Sequence, residues 1–403
     1  MTKEQELLIE LLAHSITGGE IQFDTKGIDW TALIKESMSQ TVSIVAFDSA
    51  TTLKGQIPKD IYTAWFNHTY TSIAVNSFVE NSQKELTGIL SKGNYPYIIL
   101  KGLAAAAYYE KPELRMLGDV DFLINPPKKE EIKQLLISEG YIASHENHIC
   151  HIVFNKPKAH LEMHFEISGM PEGEKGDKIR SFISEALNEP QEKNICGNTF
   201  NAPRDKYHAV ILLLHMQHHI LGEGIGLRHL QDWACFVNKT AQQHFWDYEL
   251  IPFLKEIGLF VFMNTMTVVC VRYLKMPAPD WLEAAEQGVC QEIIEDILIG
   301  GNFGKKDKMR SGIAHKVTGK NHTKLQRFKC VCKTLKTTTD DLYPIVKKHK
   351  ILYPFIYFYR VMRYLLLVCC GKKPSHFRTS ADKEKRIDLY NKLHIYEVTE
   401  NEI

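Results

Sequence analysis

The stretch from Tyr95 to Ile124 constrains this chain more than any other. It reads as a strand, Lys101-Gly102, an alanine-rich helix, a loop carrying Arg115, and Gly118-Asp119-Val120-Asp121 inside a second strand. Tyr95 to Leu100 is aromatic and β-branched enough for a buried strand that Gly102 punctuates. The run of alanines favours helix from Leu103 to Tyr109. Met116 to Ile124 is apolar except at Gly118, Asp119 and Asp121. Strand side chains alternate, so the two aspartates project from one face, roughly 7 Å apart. Two carboxylates on an apolar strand repel each other and resist burial, so they need a cation or solvent. A helix start behind Gly102 presents free N–H groups and a positive dipole end, which suits phosphate. A divalent cation on the carboxylates bridges to phosphate oxygens. Together these parts point to metal-dependent phosphoryl or nucleotidyl transfer; the plainer alternative is a solvated strand end.

Length and composition bound the rest. A chain of 403 residues that is 44% hydrophobic has material for two or three domains with real cores. Its nine cysteines are odd in number and scattered, unlike a disulfide framework. The opening Met1-Thr2-Lys3-Glu4-Gln5-Glu6 is polar, unlike a secretory signal, so a reducing cytoplasmic location is the expectation.

Residues 1–92 read as an N-terminal helical region. Leu7, Leu8, Leu11 and Leu12 form one helix face, and Ile61 to about Ser91 reads as a single long helix with Trp65, Ile73, Val75, Phe78, Leu86 and Ile89 as contacts. Residues 93–202 read as the α/β core. After the paired-Asp strand come a short helix over Lys128–Glu139, strands at Tyr141–Ala143 and Ile149–Phe154, and a Pro157 turn. From His160 to Ile167 the pattern alternates, with Leu161, Met163, Phe165 and Ile167 on one face and Glu162, His164 and Glu166 on the other. Glu162 is the natural third carboxylate; the plainer reading is a solvated sheet face.

Lys101-Gly102, Arg115-Met116-Leu117-Gly118-Asp119-Val120-Asp121 and Leu161-Glu162-Met163-His164 resemble the uncharacterised nucleotidyltransferase family of the DNA polymerase β-like nucleotidyltransferase superfamily. The similarity is best over about 95–167 and looser over about 203–236, where Leu227-Arg228-His229-Leu230 precedes Asp232. Lys101-Gly102-Leu103 stands where the superfamily has a Gly-Ser or Gly-Gly pair. The resemblance implies an α+β fold, a small mixed β-sheet nucleotidyltransferase core flanked by N-terminal and C-terminal helical bundles. It implies that Asp119, Asp121 and Glu162 are catalytic and ligate Mg²⁺ (or Mn²⁺). It further implies that Lys101, Gly102, Arg115, Gly118, His164, Arg228 and Asp232 bind substrate, with Lys101 and Arg115 on phosphate oxygens. Arg228 and Asp232 face the nucleotide cleft on this view; their i, i+4 spacing equally allows a helix-surface ion pair.

Residues 203–403 read as a C-terminal helical region. Tyr207–Leu221 is a strongly apolar helix in which His215 and His219 share a face. No acid or cysteine completes a zinc set there, so a buried or cleft-facing polar patch is the expectation. Gly222, Gly224 and Gly226 follow a helix rather than a strand and are no dinucleotide fingerprint. Leu227–Val237, Trp246–Ile257, Leu259–Leu274 and Ala284–Leu298 read as further helices. The segment 305–378 carries 19 Lys and Arg against three Asp and no Glu, leaving 30 basic and 45 acidic residues elsewhere. Such polarity attracts an anionic partner (nucleic acid, membrane or the NTP itself), or is simply a solvated basic surface. Ile351–Cys370 is long enough to cross a bilayer, but Arg360 and Arg363 at its middle make a span expensive. No transmembrane span is expected; an interfacial or core helix is, which allows peripheral membrane association. Cys330-Val331-Cys332 and Cys369-Cys370 lack zinc half-site spacing, and the tail from Lys372 reads as partly mobile.

Two functions follow. In one, an NMP group moves from an NTP to an unidentified small-molecule, RNA or protein acceptor. In the other, the fold persists as a catalytically lapsed nucleotide- or RNA-binding module.

Overall fold

The computed structural model describes residues 1–146, 148–307, 332, 335–336, 339–340, 342–343, 345–370 and 381–397. Cys330-Val331 and much of the basic 305–378 segment lie outside the described residues. Helices flank a small mixed sheet, so the fold is α+β as the family resemblance implies.

The sheet contains β1 (Tyr97–Ile99), β2 (Val120–Ile124), β3 (Ile142–Ser144), β4 (His151–Lys156) and β5 (Ala159–His164), in the order β1-β2-β5-β4-β3. β2 and β5 are parallel and the remaining neighbours antiparallel. The alternation in β5 sorts its two faces as its pattern demands. Leu161 and Met163 join Val120, Phe122 and Ile124 in one core, while Glu162 and His164 point to the other side. A separate ribbon of β6 (Gln191–Ile195) and β7 (Asn198–Ala202) has no counterpart in the sequence reading. Its strands are polar, but its turn residues Cys196 and Gly197 have φ of 50° and 72°, the double positive φ of a tight hairpin.

A second, larger core joins the N-terminal helices to those after residue 205. Leu7, Leu11, Trp30 and Phe47 pack with Trp233, Phe236 and Met263 in one cluster. The Lys59–Lys92 helix, long as expected, connects the two cores. Trp65 sits in the helical core, while Leu86 and Leu90 cover the sheet. Burying each such leucine contributes about 1.5–3 kcal/mol. Ile73, Val75 and Phe78 are not contacts as anticipated but exposed. Between the two cores the helix instead buries the small polar Thr69 and Asn76.

The helix after Gly102 is a single turn, Leu103–Ala106, rather than the run to Tyr109 that alanine propensity predicts. Trp246–Leu250 continues into Ile251–Ile257, and Phe260–Leu274 and Gln287–Gly300 follow. The tail is anchored over the part of its length that is described. Its Ala381–Asn391 helix leads to Leu389, Tyr390, Leu393 and Ile395, all buried in the helical core. Tyr353–Cys369 is a helix with no buried residue.

Candidate active site

The parallel β2–β5 pair sets the geometry. Its register places Asp121 directly opposite Glu162, and Leu123 opposite His164. Directly paired residues share a sheet face, so Asp121, Glu162 and His164 crowd together on the face turned away from the Leu161 core. Asp119 stands just before β2, exposed, where the strand has not yet begun. The preceding Gly118 has open space around it, so nothing steric demands a glycine there.

Lys101 comes from the end of β1. Leu100 N–H donates to the Asp121 carbonyl at 2.9 Å, which brings the next residue over β2. Gly102, at φ 62° and ψ −118°, then turns the chain in a conformation that side-chain-bearing residues avoid. The Lys101 ammonium lies 2.7 Å from Asp121 Oδ1 and 3.5 Å from His215 Nδ1. The His164 ring lies on the same carboxylate, with Nε2 3.0 Å from Asp121 Oδ1 and 3.4 Å from Glu162 Oε2.

These contacts divide the three acids electrostatically. Burial works against the charge of Asp121, which is only 4% exposed, but Lys101 and His164 outweigh it and hold its carboxyl well below the usual range. Burial also opposes the charge on Glu162, yet the His164 hydrogen bond leaves its pKa lowered. Asp119 reaches solvent but is crowded on its cleft side. That desolvation, then the charge of Asp121, raises its pKa. His164 loses solvation and still titrates above an ordinary imidazole, because Asp121 and Glu162 accept from it. Lys101 and His164 are thus the resident counter-charges of the inner acids, and Asp119 has no basic partner among the described residues.

Arg115 is turned to a carboxylate and not to the open cleft. It is 5% exposed, with Nε donating to Asp232 Oδ1 at 2.8 Å and Nη2 to Asp232 Oδ2 at 2.7 Å. The Tyr109 hydroxyl donates to the same Asp232 at 2.6 Å. Asn76 clamps the adjoining backbone: its Nδ2 donates to the Arg115 carbonyl, and Leu117 N–H donates to its Oδ1, each at 2.9 Å. Arg115, Asp232, Tyr109 and Asn76 therefore shape the loop that delivers Asp119.

Asp232 being taken, the i, i+4 pair with Arg228 does not form. The Arg228 guanidinium lies 5.9 Å from the Phe303 ring centre, and its Nε is buried with no partner among the described residues. Burial and then Arg115 lower its pKa, and burial and Arg228 do the same to Lys305. Uncompensated cations of this kind favour an anion between them.

His215, His219 and His229 form the polar patch foreseen on the wall beside Lys101. His215 lies 4.5 Å from His219 and 5.2 Å from His229 between ring centres. Burial pushes all three below the ordinary imidazole range, so they are neutral. Among the described residues, the three-member groups whose ligand atoms lie within 4.8 Å of one another are Asp119–His160–Glu162 and His151–Glu162–His164. The first suits a hard cation in its two carboxylates, which fits Mg²⁺ or Mn²⁺, although Asp121 is not a member of that group.

Sequence reasoning missed Asn76, Tyr109, His151 and His160. Only the last two left a usable signal. A tight turn at Pro157-Lys158 pairs residue numbers across the β4–β5 hairpin and sets His151 opposite His164.

The model of an uncharacterised nucleotidyltransferase family matches residues 26–275, spanning the sheet, the long helix and most of the helical core. No curated protein matches the chain.

Proposed function

The chain belongs to this nucleotidyltransferase family, and from that premise we propose that it moves an NMP group from an NTP to an acceptor hydroxyl or phosphate, releasing pyrophosphate. The observation that carries the reading is the β2–β5 register, which sets Glu162 beside Asp121 with Asp119 at the strand mouth. Asp119, Asp121 and Glu162 would hold Mg²⁺ or Mn²⁺, which neutralises triphosphate charge when bound.

The chain's own residues supply the rest. The acceptor oxygen forms a bond to the α-phosphorus as the α–β bridging P–O bond breaks, and pyrophosphate takes the bond's electron pair. Glu162, ionised because its pKa is lowered, takes the proton of an acceptor hydroxyl. His164 holds Glu162 and Asp121 in place. Lys101, whose ammonium lies 2.7 Å from Asp121 Oδ1 at the site, would also be in place to take a phosphate oxygen. Arg228, lacking an acid partner, takes a phosphate oxygen in the role the sequence suggested for Arg115. The neutral imidazoles of His215, His219 and His229 line the wall without adding charge. Release of pyrophosphate from labelled NTPs, in wild type and in Asp119→Asn/Asp121→Asn, tests this reading; equal turnover overturns it.

One observation favours the lapsed alternative. With Lys101 and His164 already on the inner acids, the site is electrostatically satisfied without metal. NTP binding that calorimetry finds indifferent to metal, without pyrophosphate release, supports that alternative.

A further inference from the structure

Glu162 stands between two imidazoles, and a third across the hairpin, His151, has no part in the transfer reaction. Its Oε1 lies 3.9 Å from His160 Nε2 on the Asp119 side, while its Oε2 lies 3.4 Å from His164 Nε2 on the other. Across the β4–β5 hairpin His151 is paired with His164, and ligand atoms of His151, Glu162 and His164 all lie within 4.8 Å of one another. The Nδ1 atoms of His151 and His164 are buried and have no hydrogen-bond partner among the described residues. Leaving such an atom unpaired is costly, and a ligand on it removes that cost. His164 Nε2 already rests on Asp121, and an imidazole whose second nitrogen is held by a carboxylate is the usual form of a metal-binding histidine.

Two imidazoles and one carboxylate make a borderline donor set with a fourth position open, the preference of zinc rather than magnesium. The Asp119 side offers mainly oxygen. We propose that His151, Glu162 and His164 bind a zinc-class divalent ion, at a position distinct from the oxygen-rich one at Asp119 and joined to it through Glu162.

Titrating metal-free full-length protein with Zn²⁺ by calorimetry tests this without reference to turnover, so it and the nucleotidyl-transfer reading fail separately. The expected result is Zn²⁺ binding that His151→Ala weakens about 10- to 100-fold and that Asp119→Asn leaves unchanged. His151→Gln, closer in size, repeats the test should His151→Ala shift the thermal midpoint. Absence of Zn²⁺ binding at micromolar concentration, wild-type affinity in both His151 variants, or equal loss in Asp119→Asn overturns the proposal.

An independent observation concerns the Tyr353–Cys369 helix. At 100° per residue, Ile351, Phe355, Phe358, Met362, Leu365 and Leu366 fall on one face. That face is turned to solvent, with Ile351 79%, Phe355 71% and Leu366 62% exposed. The opposite face is the partly covered one, where Arg360 donates to the Leu335 carbonyl at 3.0 Å and the Tyr353 hydroxyl to Asp340 at 2.6 Å. On the same wheel exposed Arg363 falls beside the apolar stripe, and exposed Lys348 and Lys350 lie just before the helix in sequence. An apolar stripe edged by cations and aromatic rings matches the acyl–headgroup boundary of an anionic bilayer. We infer that this helix lies on an anionic membrane surface. Co-sedimentation of the full chain with phosphatidylserine-containing vesicles is expected for wild type, not with pure phosphatidylcholine, and is lost in Phe355→Glu/Phe358→Glu. Failure of wild type to sediment, equal sedimentation of the variant, or self-association through this face without lipid binding overturns it.

Discussion

The Lys101 ammonium lies 2.7 Å from Asp121 Oδ1, so the residue that the sequence assigns to phosphate rests on a carboxylate. The inner acids of the site therefore carry their own counter-charges. Lys101→Met leaves a buried carboxylate with only His164 as partner. We expect a loss on the order of 2–3 kcal/mol in urea unfolding of metal-free protein, somewhat below the full penalty for breaking a buried pair. Asp121→Asn added to Lys101→Met should recover most of it. A single-variant loss under about 0.5 kcal/mol, within ordinary surface-substitution scatter, contradicts the counter-charge role.

Arg115 and Asp232 form a buried ion pair, joined by two parallel hydrogen bonds. Arg115→Ala strands the Asp232 charge and should cost about 3–5 kcal/mol. Arg115→Lys keeps the charge but cannot form the fork, so it should be intermediate. A cycle with Asp232→Asn measures the coupling; additive losses contradict the pairing.

Asn76 is held at both ends of its amide by the loop before Asp119. Asn76→Asp accepts from Leu117 but cannot donate to the Arg115 carbonyl. It should destabilise by about 1–3 kcal/mol through unsatisfied buried groups. If Asn76 positions the loop, pyrophosphate release should fall in the fraction that stays folded, a readout that lost stability alone does not move.

His164 gives stability a pH dependence of known sign. Its folded pKa is raised above 6.5, so its contribution is complete below that value and is lost as pH rises through the folded pKa. Asp121 behaves oppositely: its folded pKa is depressed, so its contribution is present above 3.8 and disappears as pH falls toward the folded value. Unfolding midpoints of metal-free protein, followed upward from about pH 6, should decline in wild type and be flatter in His164→Gln. Parallel profiles contradict the assignment.

Arg228 is a buried cation whose Nε has no partner among the described residues. Its loss in Arg228→Ala should raise the KM for NTP about 10- to 100-fold, the worth of one charged hydrogen bond. A KM unchanged by Arg228→Ala assigns the triphosphate elsewhere.

How much of this was legible follows from how local each signal is. Alternation alone put Glu162 and His164 on one face of β5 and flagged the acids before and within β2, because period two is a local property. That Asp121 pairs with Glu162 was not legible: adjacency of two parallel strands depends on how the crossover packs. Arg115 was misread because its partner Asp232 is 117 residues away. Until that carboxylate is placed, an arginine near an Asp pair looks like a phosphate ligand. The alanine run overstated the helix after Gly102. Propensity cannot register that the Tyr108 hydroxyl goes to Asp205 and the Tyr109 hydroxyl to Asp232, buried partners that draw the chain out of helix. The long Lys59–Lys92 helix was found with Trp65 and Leu86 correctly inward, but its middle turns were misassigned, since they bury polar Asn76 and expose Ile73, Val75 and Phe78.

Asp119 is the carboxylate on which the account turns, since it reaches solvent and has no basic partner among the described residues. The deciding measurement is pyrophosphate release from NTPs with Mg²⁺ by wild type and by Asp119→Asn, with unfolding midpoints taken alongside. The account predicts release by wild type, a fall of about two orders of magnitude in the variant, and an unchanged midpoint. Release by the variant at the wild-type rate would contradict it.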